Sequence, residues 1–237
     1  MNNKPVVVAK TNFRNIKLAY VLSAIVVGCI LIQDIVFMIL AALDVFHNSP
    51  ENMTVSLGNY LFLALILGAV FIPSLNFRKM MNLGSKRADF FKGCAINYAV
   101  MAAAISLLSL VLYYTYDKFV VSLFYRGGTL DVLYWFGWIG NGPVVAFFQQ
   151  FVFLLLVAVA IHTLTAVQDK WYGWVADAVI VAIIAVFTPI APLRSALTWF
   201  FNLIIFHQYA WVQIAACLIL AAVVYALNRS IFARKAI

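Results

Sequence analysis

The chain alternates long apolar runs with short polar islands, and its period is neither that of a strand nor that of a soluble amphipathic helix. Six runs predict membrane-crossing helices: Ala19 to Leu43, Leu57 to Leu75, Cys94 to Tyr116, Pro143 to Val167, Val175 to Ile190 and Tyr209 to Leu227. A helix needs about 20 apolar residues to cross a hydrocarbon core of about 30 Å. An outer-membrane barrel would instead show segments of about 10 residues with polar alternate positions. Stretches such as Ala99 to Leu112 and Phe151 to Ile161 are apolar on every face and exclude that pattern.

The connections carry further expectations. Residues Met1 to Lys17 read either as an interfacial helix leading into the first span or as a frayed tail. The segment Asp44 to Ser56 holds no Lys or Arg, as an external loop should, and its Asn52-Met53-Thr54 triplet carries no argument. Between Asp117 and Gly142, aromatic residues and the glycine breaks Gly127-Gly128 and Gly140-Asn141-Gly142 predict a pair of half-buried segments at the outer interface. After Pro189-Ile190-Ala191-Pro192, the stretch from Leu193 to Leu227 is too long for one span and too short for two. A re-entrant segment over 193–208, turning near His207-Gln208 before the last span, resolves the geometry, provided protein covers its free backbone groups.

Composition agrees: 66% of residues are hydrophobic and 10% charged, against about 25% charged in soluble domains. With six spans both termini share one side. That side receives Lys4, Lys10, Arg14, Lys17, Arg78, Lys79, Lys86, Arg87, Lys92, Lys170, Arg229, Arg234 and Lys235; the other holds only Lys118, Arg126 and Arg194. The imbalance makes the first side cytoplasmic. The net charge of +8 is then a topology signal with contact to anionic lipid, and its dispersal over four segments gives no nucleic-acid footprint. Cys29, Cys94 and Cys217 lack paired spacing and read as small apolar residues. The first apolar run lacks a small-residue cleavage site and reads as a retained span. The expected architecture is one all-α polytopic membrane domain.

Catalytic signatures are missing: there is no phosphate-binding G-x-x-x-x-G-K-[ST], no H-E-x-x-H, no G-x-S-x-G and no cysteine pair. His47, His162 and His207 fall in separate regions, so no shared metal site is expected. Asp34, about 22 Å into the first helix, is either a polar point on a translocation path or a structural hydrogen-bond partner. Gln149, Gln150 and Asn97 are intramembrane polar groups open to the same two readings, and Asp177 lies near the cytoplasmic face with a structural role.

The densest polar island runs from Asn76 to Lys92 between the second and third spans and carries Arg78, Lys79, Lys86, Arg87 and Lys92 among apolar and aromatic residues. Its core, Gly84-Ser85-Lys86-Arg87-Ala88-Asp89-Phe90-Phe91-Lys92-Gly93, resembles the coupling-helix stretch of small bacterial ABC-2-type exporter permeases. The six-span layout, basic N-terminal segment, re-entrant piece and Tyr225-to-Arg229 ending are similar too, and compact Gram-positive half-size permeases match best in length. Exporters of amphipathic peptides such as phenol-soluble modulins belong to that group. The long 117–142 segment departs from the family's short third external connection.

The resemblance implies a coupling helix over 76–92, with Arg78, Lys79, Lys86, Arg87, Asp89, Phe90 and Phe91 contacting a separate ATPase subunit. ATP and Mg would bind that partner, with no cofactor on this chain. A second permease copy, identical or related, would complete the path in a bacterial cell membrane, with Asp34, Gln149 and Gln150 candidates to line it. Outside the resemblance, a motor-free transporter would show inverted repeats, and a membrane enzyme would show convergent nucleophile, base or metal ligands.

Overall fold

A computed structural model describes residues 4–43, 54–121, 129–168 and 171–234. The described chain is essentially all helix: α1 (Lys4–Asn15), α2 (Lys17–Ala42), α3 (Leu57–Asn82), α4 (Arg87–Lys118), α5 (Val132–Trp135), α6 (Pro143–Val167), α7 (Trp171–Phe187), α8 (Ala191–Phe206) and α9 (Ala210–Arg234). Two-residue strands, β1 (Thr54–Val55) and β2 (Thr129–Leu130), pair in parallel, Thr54 opposite Thr129. Among the described residues five helices are long and apolar enough to cross a membrane, six if α7 and α8 count as one broken span.

Two boundaries differ from expectation. The second span does not stop at Leu75, and the third does not start at Cys94. Pro73 removes a backbone donor inside α3, and the helix answers with a widened π-turn at Ile72–Asn76. Ser74 Oγ donates to the Val70 carbonyl at 2.6 Å, and the helix continues to Asn82. Continuation is favoured because Phe77 and Met80 are buried there, which repays charged neighbours that point outward. The interval 76–92 is therefore not a separate lateral helix: it is the end of α3, a four-residue turn, and the start of α4. Gly84 permits that turn at φ +79°, donating to the Met81 carbonyl while Ser85 N–H reaches the Met80 carbonyl.

The stretch expected to be re-entrant forms a helix, α8, that starts and ends two residues earlier than expected. It leaves α7 at a bend of 116°, where Pro189 and Pro192 disfavour a continuing helix. At its far end a π-turn, Asn202–Phe206, exposes two carbonyls inside the bundle. Ile204 O accepts from Gln213 Nε2 at 3.1 Å and from Cys217 Sγ at 3.4 Å, and Ile205 O accepts from Trp138 Nε1 at 3.0 Å. Protein donors thus satisfy carbonyls that the π-turn leaves without helical partners.

The N-terminal segment forms the helix expected of it and packs on the bundle. Val8, Ala9 and Asn12 of α1 are buried, and a Cβ at Gly93 would lie 2.7 Å from Val8 Cγ1. Only glycine lets α1 approach α4 so closely. Of the 117–142 segment, the described part places Leu133 and Trp138 in a second core cluster with Ala146, Val152, Ile204, Ile205 and Cys217. Phe119, Phe124 and Tyr125 lie outside the described side chains, as do Lys170, His47 and most of the Asp44–Ser56 loop.

Candidate functional site

Four chain segments meet at the end of the bundle that carries the basic island. Phe77 from α3, Phe90 from α4 and Phe232 from α9 form a ring cluster, with centroids 5.3 Å apart for Phe77–Phe90, 5.0 Å for Phe77–Phe232 and 5.7 Å for Phe90–Phe232. These edge-on and tilted geometries are the favourable ones for aromatic pairs. Directly inward, the Tyr98 hydroxyl lies 2.6 Å from His162 Nδ1, and the His162 ring sits 5.2 Å from Phe232. Around the rim, Arg87 Nη1 donates to the Phe232 carbonyl at 3.1 Å, placing a cation at the carbonyl-rich end of α9. Lys79 Nζ reaches Asn15 Oδ1 of α1 at 3.5 Å, and Asp89 occupies the first turn of α4, where a helix favours negative charge.

The residues expected to meet a partner therefore divide. Arg78, Lys79, Lys86 and Leu83 are exposed at the tip, with Arg87 and Asp89 half-buried beside them. Phe90 is 0% exposed, packed inside its own chain, and has no surface with which to fill a partner's groove. Phe91 is half-buried: its ring stacks on Tyr225 at 4.3 Å, and the Tyr225 hydroxyl donates to its carbonyl. Phe90 thus joins three helices, and Phe91 keeps one face open.

The three candidates for a polar path lie elsewhere and are engaged. Asp34, 2% exposed, accepts from Thr54 Oγ1 at 3.3 Å and Tyr116 hydroxyl at 3.2 Å. Gln149 donates to Gln213 Oε1 and accepts from Asn141 Nδ2, and Gln150 donates to Ser109 Oγ at 3.1 Å. All three side chains are buried in the single chain. Each is thus hydrogen-bonded within the chain, with Gln149 and Gln213 forming a brace against the Ile204 carbonyl of α8. Asp177 likewise accepts from Gln168 Nε2.

Sequence reasoning missed the polar seal at the opposite end. Ser56 Oγ donates to Asp117 Oδ2 at 2.5 Å and accepts from Gly58 N–H at 3.1 Å. Asp131 caps α5, its Oδ1 accepting from Leu133 N–H at 2.6 Å, while Asn59 brackets β2 by donating to Leu130 O and accepting from Val132 N–H. Burial pushes the Asp131 carboxyl above the usual carboxylate range. The available signal was the pair of acids, Asp117 and Asp131, bracketing an aromatic loop; the partners Ser56 and Asn59 sit some 60 to 70 positions away. No group of three metal-ligating side chains occurs among the described residues.

The fold and its sites define a helical, multi-pass membrane protein. In comparisons with known proteins the chain matches no family model, no curated protein and no solved structure.

Proposed function

We propose that the chain is the membrane-spanning subunit of an ABC exporter, moving an amphipathic or hydrophobic substrate, with peptide favoured, out of a bacterial cell. ATP is hydrolysed by a separate subunit that docks on the α3–α4 tip at the cytoplasmic face. The observation that carries this reading is mechanical. The exposed cations Arg78 and Lys79 near the end of α3 and Lys86 in the turn that follows stand at the tip of two long apolar helices, and Phe77, Phe90 and Phe232 tie that tip to the end of α9. A push on the tip therefore moves three helices together rather than bending a loop.

The buried ring cluster changes the role expected of Phe90. It transmits force inside the chain, while Lys79, Lys86 and Leu83 meet the partner. Rim cations set association and its salt sensitivity, whereas apolar contacts supply most of the affinity. A second copy is the proposed source of the translocation path, because Asp34, Gln149 and Gln150 are sealed within one chain. Helix α7 supports that pairing: Val175, Val179, Val181 and Ile184 are all exposed, and among the described elements its main neighbours are α6 and α8.

The test is purification from the native membrane, followed by identification of stoichiometric chains and assay of ATP hydrolysis. An ATP-hydrolysing polypeptide should co-purify, and Lys79→Glu with Lys86→Glu should release it at moderate salt. A chain that purifies alone, with transport independent of ATP, refutes the reading.

A further inference from the structure

On the side of the basic end where α4 and α9 meet lies an open groove of about 530 Å³, lined by Arg87, Ala88, Phe91, Lys92, Arg229 and Phe232. All of its charged lining residues are cations. Two come from the first turns of α4 and one from the last turns of α9, so the groove stands where two apolar spans leave the membrane. Arg87 is held against its wall by the bond to the Phe232 carbonyl. Phe91 and Phe232 give the floor an apolar character.

The surface next to it has matching chemistry. Seven, ten and eleven residues before Arg229 on α9, Ala222, Ile219 and Leu218 lie on the same helical face and are exposed, Ile219 at 63%. Cations at the top of an apolar stripe fit a molecule with a negative head and hydrocarbon chains. An acidic polypeptide would satisfy the cations and leave the stripe and the aromatic floor unused.

We propose that this groove binds the phosphodiester headgroup of an anionic membrane lipid, with its acyl chains laid along the exposed face of α9. Guanidinium and ammonium groups both pair well with phosphate oxygens. The site needs no ATPase, so it stands or falls separately from the exporter reading.

The experiment titrates fluorescent phosphatidylglycerol onto the purified full-length chain in neutral detergent micelles. Binding should saturate, and Lys92→Gln with Arg229→Gln should weaken it by about fivefold per cation removed, or roughly 25-fold together. Arg229→Lys should retain binding within about twofold. Lys10→Gln, a cation on α1 outside the groove, should also stay within about twofold. Melting temperatures equal to the unmodified chain confirm that each variant is folded. The proposal is overturned if phosphatidylcholine competes equally, or if Lys10→Gln weakens binding as much as Arg229→Gln. Displacement of the lipid by inorganic phosphate would reassign the groove to a free anion, and displacement by an acidic peptide would reassign it to a polypeptide.

Discussion

The two ends of this bundle are closed by opposite chemistry. At the basic end, Phe77, Phe90 and Phe232 close the structure with rings, and the charged groups stand outside them. At the far end, Ser56, Asn59, Asp117 and Asp131 close it with hydrogen bonds, and the polar groups lie inside. Ring packing tolerates small rotations, since dispersion is summed over many weak contacts. A hydrogen-bonded seal does not, because each buried partner left unmade costs its full desolvation. The first end is suited to transmitting a displacement and the second to holding a fixed geometry.

Removing a ring should therefore be the largest single perturbation. Phe90→Ala deletes a fully buried side chain and should cost about 3–5 kcal/mol. Phe91→Ala loses mainly the open-sided stack on Tyr225, for about 1 kcal/mol. Thermal unfolding in detergent should show that ranking. Equal losses would mean that the three-helix ring cluster is not what closes this end.

At the other end of the scale of chemistry, Gln213→Leu removes the donor to Ile204 O and the acceptor for Gln149 together. Polar bonds inside membranes average about 0.6 kcal/mol and reach about 1.7, so a loss of about 1–2 kcal/mol is expected, with proteolysis appearing first near the α8–α9 junction. Cleavage distributed evenly along the chain would show that the brace is not local to α8.

The positions of these features explain how much was legible in the sequence. Helix existence was readable almost everywhere, because runs such as Phe151 to Ile161 are apolar on every face and only lipid-facing or buried helices have that composition. The break between α7 and α8 was readable from Pro189 and Pro192 together with length. The basic turn was located but misread as a separate helix, since charge was taken as the boundary when Phe77 and Met80 carried α3 onward. The seal of Ser56 on Asp117 spans 61 positions, and no local pattern encodes such a pairing. Asp34, Gln149 and Gln150 stand out in the sequence as polar groups within apolar helices, and each is buried, but burial alone does not distinguish a structural hydrogen bond from a path.

The polar seal should also respond to pH. Burial raises the Asp131 carboxyl above its usual 3.8, so the folded state binds its proton more tightly than the unfolded chain does. Its contribution is fully present below that usual value and is lost as pH rises through the raised one. Stability should thus fall on going from pH 4 upward, by at most about 1.4 kcal/mol per pH unit from this group. Asp131→Asn keeps an α5 cap without the titration and should flatten that fall. Melting temperatures from pH 4 to pH 8 decide it, and identical slopes in the two proteins would remove Asp131 from the account.

The smallest effect on stability belongs to the tip itself, and it is the sharpest test of what that end is for. Lys79 and Lys86 are exposed, and Lys79 makes only a long contact to Asn15. Lys79→Gln with Lys86→Gln should change unfolding by no more than about 0.5 kcal/mol, as surface substitutions do. Ring packing at this end is untouched, so a folded chain with an altered surface is obtained. If the cations exist to meet a partner, the variant's association should weaken most at low salt and converge with the unmodified chain near 1 M, where the screening length is about 3 Å. A deficit that persists at high salt would point instead to disturbed packing, and no deficit at any salt would leave the cations as topology markers.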